Sequence, residues 1–384
     1  MSNKALEKWE EKTLEEICEK ISAGGDKPEI FSETKTIECN IPIYSNGIKD
    51  NGLYGYTDNP TIEKPAITIS ARGTIGFICK RLEPYCPIVR LISLIPKDFI
   101  DLSFLAYAMN FIIPKNTGTS IPQLTVPNLK TSKIQYPSLS EQQRIVKILD
   151  EAFENIEKSK QNALQNLNNA KELFESYLNN ILKYLENIGE FKQLSTITEV
   201  KDGTHDSPKY VKVGIPFITQ KNIKEGGFNY ITDDTKYITE EDHNKFYQRS
   251  NVKKNDILIS MIGANRGMAC IVDIDEIFSI KNVGLIKDST NIDKYYLLYY
   301  LKSNYAKQYI AEKSKGGAQE FVGLTALRAF PILYVDVNEQ QKIVAQLDEL
   351  QEQTKKLEQI YEQKIKDLDE LKQSILQKAF NGEL

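Results

Sequence analysis

Two stretches of this chain carry apolar residues at alternating spacings of four and three. The first runs Ile145, Leu149, Ala152, Ile156, Ser159, Ala163, Asn166, Ala170, Leu173 and Tyr177. The second runs Ile343, Leu347, Leu350, Thr354, Leu357, Tyr361, Ile365, Leu368, Leu371 and Ile375, with a shift of one residue at Ile365. Such spacing predicts two long helices, each with a heptad seam that Ser159 and Asn166 weaken in the first. Neither stripe is wide enough to be buried alone, so the two helices are expected to pack on each other. Forty residues at ~1.5 Å each make a rod of roughly 60 Å, long enough to act as a ruler between attached domains. Ser140 and Asn338 are the expected N-caps, and Asn381 and Gly382 close the second helix.

Both helices open on one motif, EQQRIVKILDE from Glu141 and EQQKIVAQLDE from Glu339, 198 residues apart in a chain of 384. Each copy follows a turn-rich stretch with one order of signals. The first reads IPIYSNGIKDNG from Ile41, AITISARGTIGFI from Ala66 and TGTSIPQLTVPNLKTSKIQYPSLSEQQ from Thr117. The second reads IPFITQKNIKEGG from Ile215, DILISMIGANRGMACIV from Asp256 and KGGAQEFVGLTALRAFPILYVDVNEQQ from Lys315. Short β-rich runs between Gly, Asn, Asp and Pro turns predict a curved sheet with a few helices in each half. The chain is therefore read as a tandem duplication of class α+β: globular units over 1–140 and 187–338, helices over 141–186 and 339–384.

Charge refines this picture only a little. Net charge is 0 over residues 1–140, -3 over 141–190, +2 over 191–338 and -3 over 339–384, so the overall -4 resides in the helices. Near-neutral globular halves give little sign of a polyanion partner, for which strong basicity is the usual mark. Hydrophobic content of 41% is ample for two cores. No apolar run approaches the roughly 18 residues of a membrane span, and MSNKALEKWEEK lacks a signal-peptide core, so a soluble cytoplasmic protein is expected. Cys18, Cys39, Cys79, Cys86 and Cys270 form no CxxC pair, and with only His205 and His243 beside them they are read as reduced, mostly buried thiols without a metal.

Catalytic signatures are absent. The chain has no consecutive prolines, so Asp58-Asn59-Pro60-Thr61 is not an amino-methyltransferase motif, and no GxxxxGK[ST] phosphate loop occurs. No nucleophile or second histidine accompanies His205, which reads as a turn-stabilising side chain.

The two EQQxIV openings, the paired SARGTIG and SMIGANRG turns, the run DGTHDSPKY at Asp202 and the ending SILQKAFNGEL at Ser374 together resemble the specificity subunits of type I restriction-modification systems. The resemblance covers essentially the whole chain, and it is the order of these motifs, duplicated at the right spacing, that is specific. It implies two target recognition domains, each binding half of a split, asymmetric double-stranded DNA target, and an antiparallel coiled coil with pseudo-twofold symmetry that sets the spacer. It further implies docking of two methyltransferase subunits and two restriction or motor subunits, S-adenosylmethionine and ATP residing on those partners. The first half departs from the pattern by lacking a DGTH-like run.

Base reading needs bidentate donors and acceptors on loops, and phosphate contacts need basic groups, hydroxyls and amides. In the second half the candidates are Thr204, His205, Lys209, Tyr210, Gln220, Lys221, Asn222, Arg266, Lys315, Gly316, Gly317 and Gln319. The first half offers Tyr44, Ser45, Asn46, Lys49, Tyr54, Arg72, Lys115, Asn116, Thr119, Ser120 and Gln123. Against this stands the reading of ordinary turn residues, since Asn46-Gly47 and Lys315-Gly316-Gly317 suit any surface turn. For the whole chain the alternatives are an unpartnered DNA-binding relative and a coiled-coil protein scaffold.

Overall fold

The same strand order is built twice. In the computed structural model, which describes residues 9–113, 124–225, 227–314 and 320–384, the first copy contains β1 (Glu10–Thr13), α1 (Leu14–Ile17), β2 (Cys18–Ala23), β3 (Ile41–Tyr44), β4 (Leu53–Thr57), β5 (Ala66–Ile69), β6 (Ile78–Arg81), β7 (Cys86–Pro87) and β8 (Ile92–Pro96). It continues through α2 (Leu102–Ile112), α3 (Val126–Lys130) and β9 (Lys133–Tyr136) into the long helix α4 (Leu139–Leu185). Strands β2-β8-β5-β6 form an antiparallel sheet, β4-β3-β7 a mixed sheet with β3 and β7 parallel, and β1 pairs with β9.

The second copy begins with β10 (Glu190–Gln193), α5 (Leu194–Ile197), β11 (Val200–Asp202) and β12 (Ile215–Ile218), then the hairpin β13 (Ile223–Lys224) and β14 (Gly227–Phe228), β15 (Lys236–Ile238) and α6 (Glu240–Ser250). After β16 (Ile257–Ser260), β17 (Ala269–Ile271), β18 (Ser279–Ile280) and β19 (Val283–Ile286) come α7 (Lys294–Lys302), α8 (Asn304–Lys313), α9 (Leu324–Arg328), β20 (Pro331–Tyr334) and α10 (Val337–Phe380). Its sheets are β11-β19-β16-β17, β15-β12-β18 and β10-β20, matching the first copy strand for strand. The hairpin and α6 have no counterpart among the described elements of the first copy. Each half thus holds three separate small sheets, and the second the β13–β14 hairpin besides, rather than the single curved sheet the turn pattern predicts.

The repeated motif is a structural anchor. Gln142 and Gln340 are both 0% exposed. Gln142 Oε1 accepts from the Asp101 amide at 2.8 Å, while its Nε2 donates to the carbonyls of Phe99 at 3.0 Å and Pro137 at 2.9 Å. Gln340 repeats this, accepting from the Asp293 amide and donating to the Val335 carbonyl, both at 2.8 Å. Asp101 and Asp293 in turn cap α2 and α7 through their carboxylates. Later in the motif Asp150 accepts from the Tyr107 hydroxyl and Asp348 from that of Tyr299. Burial, with those carboxylates, pushes both phenols well above their ordinary range. The motif clamps the start of α4 to α2 and the start of α10 to α7.

By contact the chain divides into two units, one holding the residues through Ala163 with Gln363–Leu384, the other Leu164–Glu362. Within the first unit α4 and α10 run antiparallel. Arg144 donates to the Leu384 carbonyl at 2.7 Å, the Lys372 ammonium lies 5.0 Å from the Phe153 ring centre, and Lys160 pairs with Asp369 at 2.6 Å. The end of α10 contributes Leu376, Ala379 and Phe380 to the core beside Leu14, Phe104 and Leu149. In the second unit the end of α4 does the equivalent, placing Leu178, Leu182 and Leu185 in a core with Leu194, Tyr296 and Leu347.

Two expectations change. In α4 the heptad seam holds through Ala163 and again at Ala170, but Leu167 is buried in place of Asn166, and beyond Ala170 it slips by one: Leu173 is 46% and Tyr177 38% exposed, while Leu178 is 3% exposed. A straight helix turns every 3.6 residues and drifts about 20° per heptad from a strict repeat, so a seam extrapolated at 3.5 from Ile145 is about 80° off by Leu173. The helices also begin earlier than Ser140 and Asn338. The Ser138 carbonyl accepts from the amides of Glu141 and Gln142, and the Asp336 carboxylate from those of Asn338 and Glu339. At the far end Gly382 has a left-handed φ of 71°, closing α10 after Phe380 as expected.

The anchor yields a prediction. Replacing Gln142 with alanine strands the Asp101 amide and two buried carbonyls, and should cost about 2–4 kcal/mol of stability in urea unfolding followed by circular dichroism. A loss below about 0.5 kcal/mol would show that water replaces the amide.

Candidate nucleic-acid interface

In the second domain the run DGTH closes β11 and turns back across the β18–β19 turn. A side chain at Gly203 would meet the Ile280 carbonyl oxygen at 2.3 Å, so the loop can lie there only with glycine. Thr204 is buried, its hydroxyl accepting from the Asp206 amide at 3.1 Å. His205 lies between Asn282, at 2.7 Å from its Nδ1, and Asp202, at 3.1 Å from its Nε2. Asp202 is buried and also accepts from Arg249 Nε and Nη2 at 2.9 and 2.7 Å. Lys281 donates to Ser207 at 2.6 Å from the same turn. This network, with Arg249, Lys281 and Asn282 drawn from distant positions, was invisible in the sequence.

The first domain has the same loop after all. Ala23-Gly24-Gly25-Asp26 occupies the place of Asp202-Gly203-Thr204-His205: Gly25 bridges Ile88 as Thr204 bridges Lys281, both parallel. A side chain at Gly24 would meet the Pro87 carbonyl at 2.5 Å, the counterpart of the Gly203 contact. The sequence signal was a Gly-Gly pair ending a β-rich run upstream of IPIY. It was missed because the side chains of DGTH, which made the motif recognisable, are replaced while the backbone requirement remains.

Asn46 and Gln220 hold equivalent positions after β3 and β12. Asn46 Oδ1 accepts from the Ala71 amide at 2.8 Å, and its Nδ2 donates to the Val89 carbonyl at 2.6 Å. One side chain thereby joins the loop carrying Ser45 and Lys49, the turn carrying Arg72, and the turn at Val89-Arg90. Gln220 instead accepts from the Ser260 hydroxyl at 3.2 Å. Val89 and Arg90 both have positive φ, 52° and 60°. The left-handed region costs a residue with a side chain roughly 1–2 kcal/mol, and most for a β-branched one.

The remaining candidates divide by surroundings. Lys49, Arg72 and Lys209 are exposed and form no ion pair among the described residues. Tyr54 is exposed and tilted on Phe31 at 5.5 Å between ring centres, with the Lys27 ammonium 3.5 Å from the Phe31 ring. Tyr210 is exposed at 6.2 Å from Phe217. Lys221 pairs with Asp234 at 2.9 Å, holding that carboxyl below its ordinary value. Tyr44 packs inward, under the Arg81 guanidinium at 3.5 Å and beside Tyr85.

Two residues are committed to the protein. Asn222 is 3% exposed, its amide bonded to the Thr219 amide and to the carbonyls of Asn229 and Tyr230, so it shapes its loop and offers nothing outward. Arg266 donates to Ser314 at 2.8 Å and to the Gly263 carbonyl at 3.0 Å, and pairs with Glu320. It staples the GANRG turn to the residues on either side of 315–319, and reading a base would require breaking those bonds. Lys115, Asn116, Thr119, Ser120, Gln123, Lys315, Gly316, Gly317 and Gln319 lie outside the described residues.

The fold defines a duplicated α+β scaffold whose candidate loops lie at the ends of matching strands. The family model described as the type I restriction modification DNA specificity domain matches residues 6–166 and 176–367. This chain belongs to that family. It is 39% identical over 152 residues to a putative type I specificity subunit, S.MpnORF89P, of Mycoplasma pneumoniae, covering 38% of this chain and 45% of that protein. It is 25% identical over 271 residues to the MjaVIII type I restriction enzyme specificity subunit of Methanocaldococcus jannaschii, covering 65% and 63%. The aligned stretch thus spans about half the length of the Mycoplasma relative. Among solved structures, one from work on complex assembly and conformational transition of the type I R-M system superposes with a TM-score of 0.73 at 16% identity over 98% of both chains. The crystal structure of the HsdS subunit from Thermoanaerobacter tengcongensis gives 0.62 at 17% over 98% and 97%. Both show the fold.

Asn46→Ala should free the Ala71 amide and the Val89 carbonyl together, lowering stability by about 1–3 kcal/mol in thermal or urea unfolding. Unchanged stability would mean that the three loops are held without it.

Proposed function

We propose that this chain is the DNA-reading, non-catalytic subunit of a type I restriction-modification enzyme. Its two domains each read one half of a split, asymmetric target in double-stranded DNA. The carrying observation is a scaffold duplicated strand for strand whose loops differ: equivalent backbone supports present Asn46 in one domain and Gln220 in the other, and Val89 in one and Asn282 in the other, with Arg90 an added residue of the first turn. Equal supports with unequal side chains suit two related but non-identical half-sites. Half-sites on one face of B-DNA fall about one helical turn, or a multiple, apart. The pair of long helices supplies a fixed element for that spacing.

On this reading two methyltransferase subunits dock on the helices and domains, and two restriction or motor subunits join them. S-adenosylmethionine and ATP belong to those partners. Tyr184, Ile188 and Phe191, half exposed or more around the end of α4, are the kind of surface a protein partner covers.

The test is to co-express the chain with its methyltransferase partner and map methylated adenines in the host genome by single-molecule sequencing. A bipartite motif with a fixed gap should appear, and vanish when the chain is omitted; no new methylation with both proteins soluble would reject the reading. Deleting residues 358–361, about one turn of α10, should shorten the required gap or abolish methylation. An unchanged gap would reject the helices as its determinant.

A further inference from the structure

We infer that the Val89-Arg90 turn is a base-reading element of the first domain, with Arg90 its specificity-determining residue. This rests on the DNA-reading function proposed above and adds a position that neither motif nor spacing marks. The turn is a tight reversal between β7 and β8, closed by the Leu91 amide on the Ile88 carbonyl at 3.0 Å. Both central residues are left-handed, the geometry that asparagine and glycine adopt at least cost, yet valine and arginine stand there. Val89 is 48% exposed, and Arg90 is exposed with no hydrogen bond or ion pair to its guanidinium among the described residues.

The backbone beneath them is pinned from three sides. The Val89 amide donates to the Gly25 carbonyl at 2.8 Å, the Arg90 amide to the Gly24 carbonyl at 3.0 Å, and the Asn46 amide holds the Val89 carbonyl at 2.6 Å. A strained backbone persists only where its surroundings over-determine it, and such sites cluster where a side chain must be aimed. The equivalent turn of the second domain shows the contrast. That turn is one residue shorter: Lys281 takes the place of Ile88 and bonds Ser207, Asn282 takes that of Val89 and bonds His205, and no residue corresponds to Arg90. In the first domain that loop is Gly25-Asp26, and the turn's side chains are left free on a rigid support.

A branched apolar group beside a guanidinium fork matches a thymine methyl beside a guanine edge. Arginine bonds guanine O6 and N7 in a bidentate manner, and apolar side chains contact the C5-methyl of thymine. Asn46, bonded on one side to Val89 and on the other to Ala71, ties the Arg90 turn to the one carrying Arg72, which is exposed as well.

The test is selection of bound duplexes from a random library by the full chain assembled with its methyltransferase, compared with Arg90→Ala and Arg90→Lys. Both variants should lose preference at one G·C pair of one half-site, by on the order of tenfold or more, with the other half-site unchanged. Lysine keeps the charge and loses the fork, so it separates base reading from attraction to phosphate. Uniform weakening on all sequences by Arg90→Ala, restored by Arg90→Lys, would overturn the inference in favour of a phosphate contact. Selection of the wild-type motif at wild-type strength by both variants would overturn it while leaving the proposed function standing. Failure of the unmodified assembly to select any bipartite motif would overturn that function, and this inference with it.

Discussion

A primary amide buried at the start of each long helix holds the rest together. Gln142 and Gln340 satisfy backbone groups from two other segments: the amide that opens α2 or α7, and carbonyls at the end of the preceding strand. An amide side chain offers both donor and acceptor, so it can serve an N–H and a C=O at once where no water enters. Because the penalty for stranding such groups is larger than the gain from any one hydrogen bond, the glutamine fixes the direction in which each helix leaves its domain. The neighbouring Ile145 and Leu149, or Ile343 and Leu347, then bury themselves in the same core. The Tyr107–Asp150 and Tyr299–Asp348 bonds continue the clamp about two turns further on.

From those anchors the two domains proceed alike in backbone and apart in side chains. Gly24 and Gly203 meet the same peptide units of the turn below them, and a Cβ at either would collide with backbone. What rests on that support differs. In the second domain Asp202, His205, Arg249 and Asn282 form a closed polar network, whereas the first has only Gly25 and Asp26 above its turn. The same scaffold therefore gives one domain a braced loop and the other a bare, strained turn, a physical route to two unlike readouts from one fold.

Much of this was legible in residues. The duplicated EQQ motif marked the helices, and the paired order of IP runs and Gly turns marked the domains, because apolar periodicity and turn chemistry are local properties. The seam of α4 was legible through Ala163 and at Ala170, but Leu167 and Leu178 are buried in place of Asn166 and Tyr177, since a strict heptad and a straight helix part company with length. Arg266 and Asn222 looked outward as a reader would expect of residues in turns. Their partners Ser314, Glu320, Asn229 and Tyr230 lie at separations a local pattern does not reveal.

The sequence by itself determined the duplication, the two helical rods and the class of scaffold, because each follows from periodicity and motif order within a few turns of chain. Only the tertiary structure decided which polar side chains are free. Whether Asn46 joins three loops, Arg266 staples a turn or Arg90 stands unpaired depends on hydrogen bonds to residues 25 to 54 positions away. A polar side chain is available to a ligand only if the fold has not already satisfied it, and that is settled by who its neighbours are.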